Sequence, residues 1–521
     1  MKFRRHAQKS SAGPLIALIS IGSVSALLCV ITGFVDFAGS HVPLTKIFFN
    51  AIQHGAVSGL PEVIIGILGV SITVVAIIVE LASNRYTARI TDLFMSSGVN
   101  VTILSFFVVT GMLCLWVTVT TGTSDAVPHV GSVVTIIFVT VCLLLLLPYF
   151  AFVFHFLNPH NIIDRMAASV FHAITAGGVN RSQPARMKAN AVRGIEQLSD
   201  LASGAIESKD KVVCMHAVDA LGRLTCDYLD VKPELHLEWF TLTAEMRDNP
   251  DFVSMQADVL RKIEDKHYWM EMKILRQYQM LYGESLNRMR DINYLLAINT
   301  RRIAEQALKN GDEAIAALCV KFFNTYLRAT INAKDVRTAY NVLNQYRLLA
   351  QTALENNWSS VAVDIANRFK YYGQLGFTMG LPFVLETAAY DLCDLNELAF
   401  RLKSDVSDAL LEVFLDVDKE AEEGHSLEAS LRGVRKAQIK LATFYLVEDA
   451  EELARAIFRD MKDEVPGRLS SIRQELQSIR TREFWEINDR GINFDYLEDE
   501  RRQALETYFG WFHESRELRS E

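Results

Sequence analysis

The chain has 521 residues, half of them hydrophobic, and a formal net charge of −9. It is too long for one compact domain, and residues 1–163 carry 7 Lys/Arg and 5 Asp/Glu whereas the remainder carries 46 and 57. So acidic a remainder lacks the clustered cations that phosphate contacts need, and we expect no nucleic-acid partner. None of the seven cysteines forms a Cys-x-x-Cys pair, which argues against a disulfide framework or zinc site.

Four apolar segments are each long enough to cross a bilayer. The predicted spans cover residues 15–35, 61–83, 101–121 and 133–156. We interpret the first as a span and not as a cleaved signal peptide, because its apolar run is longer than a signal core and more spans follow. Span two runs into Arg85 and Arg89 without an intervening Pro or Gly, so we expect its helix to continue past the membrane surface. Residues 1–160 are therefore predicted to be a transmembrane domain.

Lys and Arg are concentrated in alternate connections between these spans. They occur in the N-terminal tail, after span two and after span four, whereas the other two loops contain only Lys46. This bias predicts a multi-pass protein of the bacterial inner membrane with both termini cytoplasmic. The candidate membrane-interface residues are Arg85, Arg89 and Arg165. Their attraction to anionic headgroups makes membrane lipids an expected partner.

Beyond the spans the chain is predicted to be helical, which gives an all-α fold class. Residues 161–186 are expected to form a juxtamembrane linker, with a loop or hinge at 175–184. Residues 187–311 are expected to form a membrane-proximal helical region with a long helix. An apolar stripe from Ile263 to Ile303 repeats about every 3.6 residues, and either one long helix or a broken pair satisfies it.

Residues 312–521 read as successive amphipathic helices with short connections. Helix pairs of about 35–40 residues resemble tetratricopeptide-like stacking, although the consensus of that repeat is not met. We therefore predict a large cytoplasmic, solenoid-like region. The charged and aromatic segment 468–521 is expected to cap it.

The sequence contains no nucleotide-binding, zinc-protease or serine-hydrolase motif. We therefore expect neither an enzyme nor a bound cofactor or metal. The candidate functional residues are polar groups within the spans, namely Ser71, Thr73, Glu80, Thr110 and Thr118. Such groups can line a conduction path or face a bundle interior. Two alternatives stay open: Glu80 pairs with Arg85 or with a neighbouring chain at the headgroup level, and the hydroxyl groups bond back to their own helices.

Three segments carry a resemblance to a known family. They are GVSITVVAIIVELASNRYTARITDLF at span two, VTILSFFVVTGMLCLWV at span three and AVRGIEQLSDLASGAIESKDKVVCMHAVDALGRL in the soluble region. Over residues 61–225 this order resembles an uncharacterised bacterial family of predicted integral membrane proteins with a domain of unknown function. The family's Ser-Pro-Gly-Ile-Asn-Asp-Pro string is replaced here by residues 207–210. The resemblance implies a membrane class and no reaction.

Two functions fit these features. The first is a homo-oligomer that forms a channel or pore, with spans two and three lining a path between subunits and the helical region forming a cytoplasmic vestibule. The alternative is a membrane-anchored scaffold or sensor, whose helical array binds a cytoplasmic protein partner. The polar character of the spans favours the first, and the size of the array favours the second.

Overall fold

The structure is a computed structural model. It describes residues 60–85, 97–123, 129–418, 428–486 and 490–520, with isolated positions elsewhere. The predicted first span at 15–35 and Arg89 lie outside these ranges. Within them the chain is helical and contains no strand, which confirms the all-α class. The chain divides into two units, Met1–Ser169 and Val170–Glu521.

Three apolar helices make up most of the described part of the first unit. They are α1 (Leu60–Arg85), α2 (Gly98–Thr123) and α3 (His129–Phe156). Within them the stretches Glu62–Ala82, Gly98–Thr120 and Val130–Phe156 are long and apolar enough to cross a membrane. They coincide with the predicted spans two, three and four. Pro148 lies inside α3 without ending it.

The three helices pack against one another along narrow stripes. On α1 the buried residues recur on one face, as Ile64, Ser71, Val75 and Val79. The rest of α1 is mostly exposed and apolar, including Val70 and Leu81. An apolar exterior around a packed interior is the pattern of helices surrounded by lipid.

The segment after α3 is more helical than the predicted linker. Helix α4 (Pro159–Ile174) is followed directly by a π-helical turn, Thr175–Val179. A Cβ at Gly177 would lie 2.9 Å from Trp239 Cζ3, so this turn needs glycine to accept the indole. The loop predicted at 175–184 is thus confined to residues 180–183.

Six helices begin the second unit. They are α5 (Pro184–Glu207), α6 (Lys211–Val231), α7 (Ala244–Arg247), α8 (Ala257–Asp265), α9 (Trp269–Ser285) and α10 (Arg290–Lys309). A single long helix is not formed in this region, and the alternative of a broken pair is the one observed, as α9 and α10. His267 and Asn287 adopt positive φ angles of 57° and 64° and interrupt the stretch twice. The apolar stripe that suggested it is real, because Ile263 and Ile303 are both fully buried.

The remaining helices follow in close succession. They are α11 (Glu313–Asn332), α12 (Val336–Glu355), α13 (Ser359–Thr378), α14 (Pro382–Arg401), α15 (Ser407–Leu415), α16 (Glu428–Val447), α17 (Glu451–Met461), α18 (Pro466–Ser478) and α19 (Asp499–Ser520). Helices α11 to α14 each contain 20 residues, and each starts 23 residues after the one before. A helix pair therefore repeats every 46 residues, longer than the expected 35–40.

One type of connector produces this regular spacing. Between α11 and α12, Lys334 has a φ of 54°, and the N–H of Asp335 donates to the carbonyl of Thr330 at 3.2 Å. The same backbone pattern precedes α11 and follows α12 and α13. This is a Schellman-type helix end, which satisfies the last carbonyl groups of one helix and reverses the chain at once.

The helices of the second unit form two layers. In one, α6, α10, α12, α14, α16 and α19 contact each other in series, and in the other α5, α9, α11, α13 and α15 do so. Neighbours in sequence pair across the layers, as α13 does with α14. We call this arrangement the array.

Candidate functional site

The predicted polar residues of the spans do not converge on one surface. Ser71 and Thr110 are buried in the packing between helices. The hydroxyl of Thr110 donates to the carbonyl of Phe106 at 2.9 Å and accepts from the thiol of Cys142 at 3.3 Å. Both residues therefore face the bundle interior of the described helices.

The other hydroxyl candidates bond back to their own helices. Thr73 donates to the carbonyl of Gly69 at 2.8 Å, and half-buried Thr118 donates to the carbonyl of Cys114 at 2.9 Å. This is the alternative that the sequence left open, and it satisfies each hydroxyl within an apolar surrounding.

Glu80 and Thr73 lie on the exposed part of α1. They are seven residues apart, which places them on one side of the helix. The side chain of Arg85 is outside the described part of the chain, as is all of Arg89. Pairing of Glu80 with Arg85, and an interface role for either arginine, therefore remain predictions.

Arg165 lies on α4, close to the end of α3. Its guanidinium carbon is 3.9 Å from the centre of the Phe156 ring, a cation–π contact. Burial lowers the pKa of Arg165. This position near the end of a span suits the predicted interface role, which itself remains a prediction.

A polar pair that the sequence analysis missed joins two of the spans. The hydroxyl of Tyr149 on α3 donates to Asn100 Oδ1 on α2 at 2.8 Å. The amide nitrogen of Asn100 donates to the carbonyl of Phe94 at 3.3 Å. Both side chains are buried, so the pair fixes the register of α2 against α3. Its only sequence signal is an Asn at the boundary of span three.

A concentration of buried charge outside the spans lies under residues 490–497, which we call the strap. These residues are not helical and lie across α12, α14 and α16, three successive helices of one layer. The residues beneath them form what we call the strap surface: Tyr340, Arg347, Tyr390, Asp391, Lys436 and Lys440.

Arg490 is the most buried charged side chain of the strap. Its side chain is 2% exposed, and that of Asp391 is 0% exposed. The guanidinium binds both carboxylate oxygens of Asp391, with Nη2 donating to Oδ2 at 3.1 Å. Its carbon lies 4.5 Å from the Tyr340 ring centre and 5.3 Å from that of Phe494. A bidentate, ring-flanked site of this kind discriminates arginine from lysine.

Phe494 and Asp495 make the second half of the contact. The Phe494 ring stacks on Tyr390 with centres 4.7 Å apart and planes at 9°, and Lys440 donates to the Phe494 carbonyl at 2.9 Å. The Asp495 carboxylate accepts from Lys436 at 2.7 Å and from the Tyr390 hydroxyl. The strap is thus recognised through one cation, one ring and one anion.

The pKa shifts of the strap and the strap surface favour charge states that do not change near neutral pH. Burial opposes the charged form of Arg490, but Asp391 outweighs it and raises the pKa of Arg490. Burial likewise opposes the charge of Lys436, and Asp495 raises the pKa of Lys436 overall. Burial and then Asp495 hold the pKa of Tyr390 well above its usual range. At neutral pH Arg490 and Lys436 therefore stay charged, and the Tyr390 hydroxyl keeps its proton.

From the sequence, residues 468–521 are expected to cap the array, and the contacts of the strap are not predicted. Asp391 sits on an otherwise buried apolar face of α14, beside Ala388 and Leu395. A buried charge in such a stripe indicates that an oppositely charged side chain from elsewhere in the chain pairs with it. The stretch RGINFDYL, which has no helical spacing between two helical segments, is where that partner lies.

A second buried ionic group lies at the other end of the array. Lys232 bridges Glu271 and Asp312, each at 2.7 Å. It lines an open cleft together with Leu237, Phe240 and other residues. Among the described residues no group of His, Cys, Asp and Glu side chains is arranged to hold a metal ion. The cleft therefore has an ion-paired wall.

Three helices of membrane-spanning length, followed by a large helical region, define a helical membrane protein. Residues 12–203 match the family model described as predicted membrane protein (DUF2254). Over these residues the chain is thus similar to a family of predicted membrane proteins, which agrees with the resemblance seen in the sequence. No curated protein matches the chain.

Among solved structures, the chain is similar to one titled "Circular tandem repeat protein with novel repeat topology and enhanced subunit contact surfaces". The identity is 14%, the match covers 68% of this chain and 96% of that chain, and the TM-score is 0.31. A likeness at this level carries no argument about fold or function.

Proposed function

We propose that the protein is a membrane-anchored scaffold whose helical array binds a cytoplasmic protein partner. In this proposal the array is an α-solenoid, and the chain is a multi-pass protein of the bacterial inner membrane with both termini cytoplasmic. The observation that carries the proposal is the charged strap surface, which extends across three successive helices of one layer.

The arrangement of the array supports binding. Stacked helix pairs create an extended surface to which each pair contributes equivalent positions. Here the positions on α12, α14 and α16 carry buried Arg, Asp, Lys and Tyr side chains. Buried charges often cost stability relative to apolar packing, so a role in recognition or register is a reason for a protein to keep them. Their concentration on one surface favours recognition.

The spans support anchoring. Ser71 and Thr110, which a conduction path would use, are buried in helix packing, and the hydroxyl of Thr73 is satisfied within its own helix. Asn100 and Tyr149 bind α2 to α3. These polar groups are satisfied within or between the helices and need no aqueous path.

Two measurements test the scaffold proposal. The full chain carrying the photoreactive residue p-benzoylphenylalanine in place of exposed Phe383 on α14 is expected to form a discrete adduct with another protein in cells. Binding of that protein, once purified, is then measured directly. The matched control places the same photoreactive residue at exposed Leu144 on α3, where no protein adduct is expected. Absence of an adduct at Phe383 and at exposed Tyr371 would contradict the proposal.

The second candidate is a homo-oligomeric channel with a cytoplasmic vestibule. The exposed position of Thr73 and Glu80 on one side of α1 favours it, because ionisable groups within spans usually face a bundle interior or water. Purified full chain in liposomes would then conduct ions, and Glu80→Gln would change the flux. A particle with one subunit, or liposomes no leakier than empty ones, would rule the channel out.

A further inference from the structure

We infer that the strap occupies the partner-binding surface of the array, and that the partner supplies a segment of the same chemistry. That segment carries an arginine, then an aromatic residue four positions later, then an aspartate, in the pattern of Arg490, Phe494 and Asp495. The strap is the internal competitor of the partner. This inference rests on the proposed scaffold function and names the site and the regulation of its binding.

The strap contacts the array mainly through polar side chains, as a bound peptide ligand can. Among its residues only Leu497 is fully buried as an apolar side chain, whereas Ile492, Phe494 and Tyr496 are partly exposed. Its backbone forms no helix, and most of its contacts to the array are ion pairs and hydrogen bonds from side chains. Segments with little apolar burial open at lower free energy than the helices beneath them. The strap is thus suited to exchange with a segment of similar chemistry.

The strap surface, by contrast, requires an occupant. Asp391 is fully buried, and without Arg490 its nearest cation is Arg347, at 3.5 Å and without bidentate geometry. A buried carboxylate that loses its partner is strongly unfavourable. A displacing segment must therefore bring its own guanidinium to Asp391.

The remaining contacts define the rest of the motif. The open face of the Tyr390 ring takes an aromatic side chain in a parallel stack. Lys436 and the Tyr390 hydroxyl converge on one carboxylate. Lys436 also binds Glu475 at 3.1 Å, so it stays paired while segments exchange. The strap surface therefore recognises three side chains at fixed positions along a non-helical segment.

The covalent connection makes the strap an effective competitor. Its C-terminal end leads into α19, which packs on α16, and Arg502 on α19 donates to the Leu497 carbonyl at 2.8 Å. A tethered segment has a high local concentration at its site. A free peptide of the same sequence is therefore expected to bind the wild-type chain poorly and a strap-weakened chain well.

The experiment measures binding of a fluorescent peptide, RGINFDYL (residues 490–497), to the full chain in detergent micelles. Arg490→Ala is expected to raise peptide affinity at least tenfold over the wild type, because the peptide returns the missing guanidinium. Adding Asp391→Asn to that variant is expected to abolish the gain. A peptide with lysine in place of its arginine is expected to bind at least tenfold more weakly. Arg482→Ala, an exposed arginine outside the strap, is the matched control and should behave as wild type.

Circular dichroism and thermal melting establish that each variant is folded. If Arg490→Ala does not fold, Phe494→Ala replaces it, since that change keeps the Arg490–Asp391 pair and removes only the stacked ring. A folded variant that binds no peptide would overturn the inference and make the strap a permanent structural part of the array. A partner adduct at Phe383 that persists in that case would leave the scaffold proposal standing, so the two failures are distinguishable.

Discussion

The threonines of the spans and the charged groups under the strap find their hydrogen-bond partners at very different distances along the chain. In α1 and α2 the threonine hydroxyls donate to carbonyl groups of their own helix four residues back. In the second unit Arg490 reaches Asp391, 99 residues away, and Lys436 reaches Asp495, 59 residues away. Local satisfaction leaves a helix independent of its neighbours. A pair between residues far apart in sequence holds the chain in one tertiary arrangement. Its loss should therefore lower the free energy of unfolding far more.

The largest expected effect comes from Asp391→Ala. It leaves Arg490 buried without its carboxylate, and breaking such a pair costs about 3–5 kcal/mol. Thermal melting of the full chain in detergent is the measurement. Asp364→Ala is the matched control, because its pair with Arg368 is half exposed and contributes about 0.5 kcal/mol or less. Equal melting temperatures for the two variants would contradict the comparison.

Asn100→Leu tests a distant polar pair within the spans. It removes the hydrogen bond to Tyr149, and interhelical bonds in membranes contribute about 0.6–2 kcal/mol. We expect a measurable drop in melting temperature that Tyr149→Phe reproduces and that the double variant does not deepen. Additive losses would show that the two residues act separately.

The carboxyl group of Glu386 allows a pH-dependent test of the cost of charge in the array. Burial raises its pKa, with Lys436 opposing and Asp495 and Glu475 assisting. A carboxyl group with a raised folded-state pKa binds its proton more tightly when folded, so stability falls as pH rises through that pKa. Glu386→Gln is therefore expected to melt higher than wild type at pH 7, and the difference should shrink toward pH 4.5. A gain that is independent of pH would show that the charge is not responsible.

The smallest effect is expected from Thr102→Val. Its hydroxyl donates to the carbonyl of Gly98 within α2 at 2.7 Å, and that carbonyl can keep its backbone partner. The melting temperature should stay within the error of the measurement, as should that of Thr73→Val. A loss comparable to that of Asn100→Leu would indicate that these hydroxyls contact something beyond their own helix.

The same contrast explains what the sequence could predict. Apolar length and the positions of Lys and Arg are local properties, so spans two to four were predicted close to the observed helices. The breaks at His267 and Asn287 were not, because a continuous apolar stripe does not reveal a residue with positive φ. The partners of Asp391 were invisible for a related reason. Nothing near residue 391 indicates that its cation lies at residue 490.

The 23-residue spacing of α11 to α14 has a consequence for how such an array can change in length. Because each connector repeats the same backbone pattern, removing residues 313–358 would join equivalent points and leave every remaining helix end intact. Helix pairs are thus interchangeable modules, each adding about 8–10 Å of reach. The strap surface includes Tyr340 and Arg347 on α12, so loss of residues 313–358 would remove part of it. A module added before α11 would instead move the intact surface farther from α5.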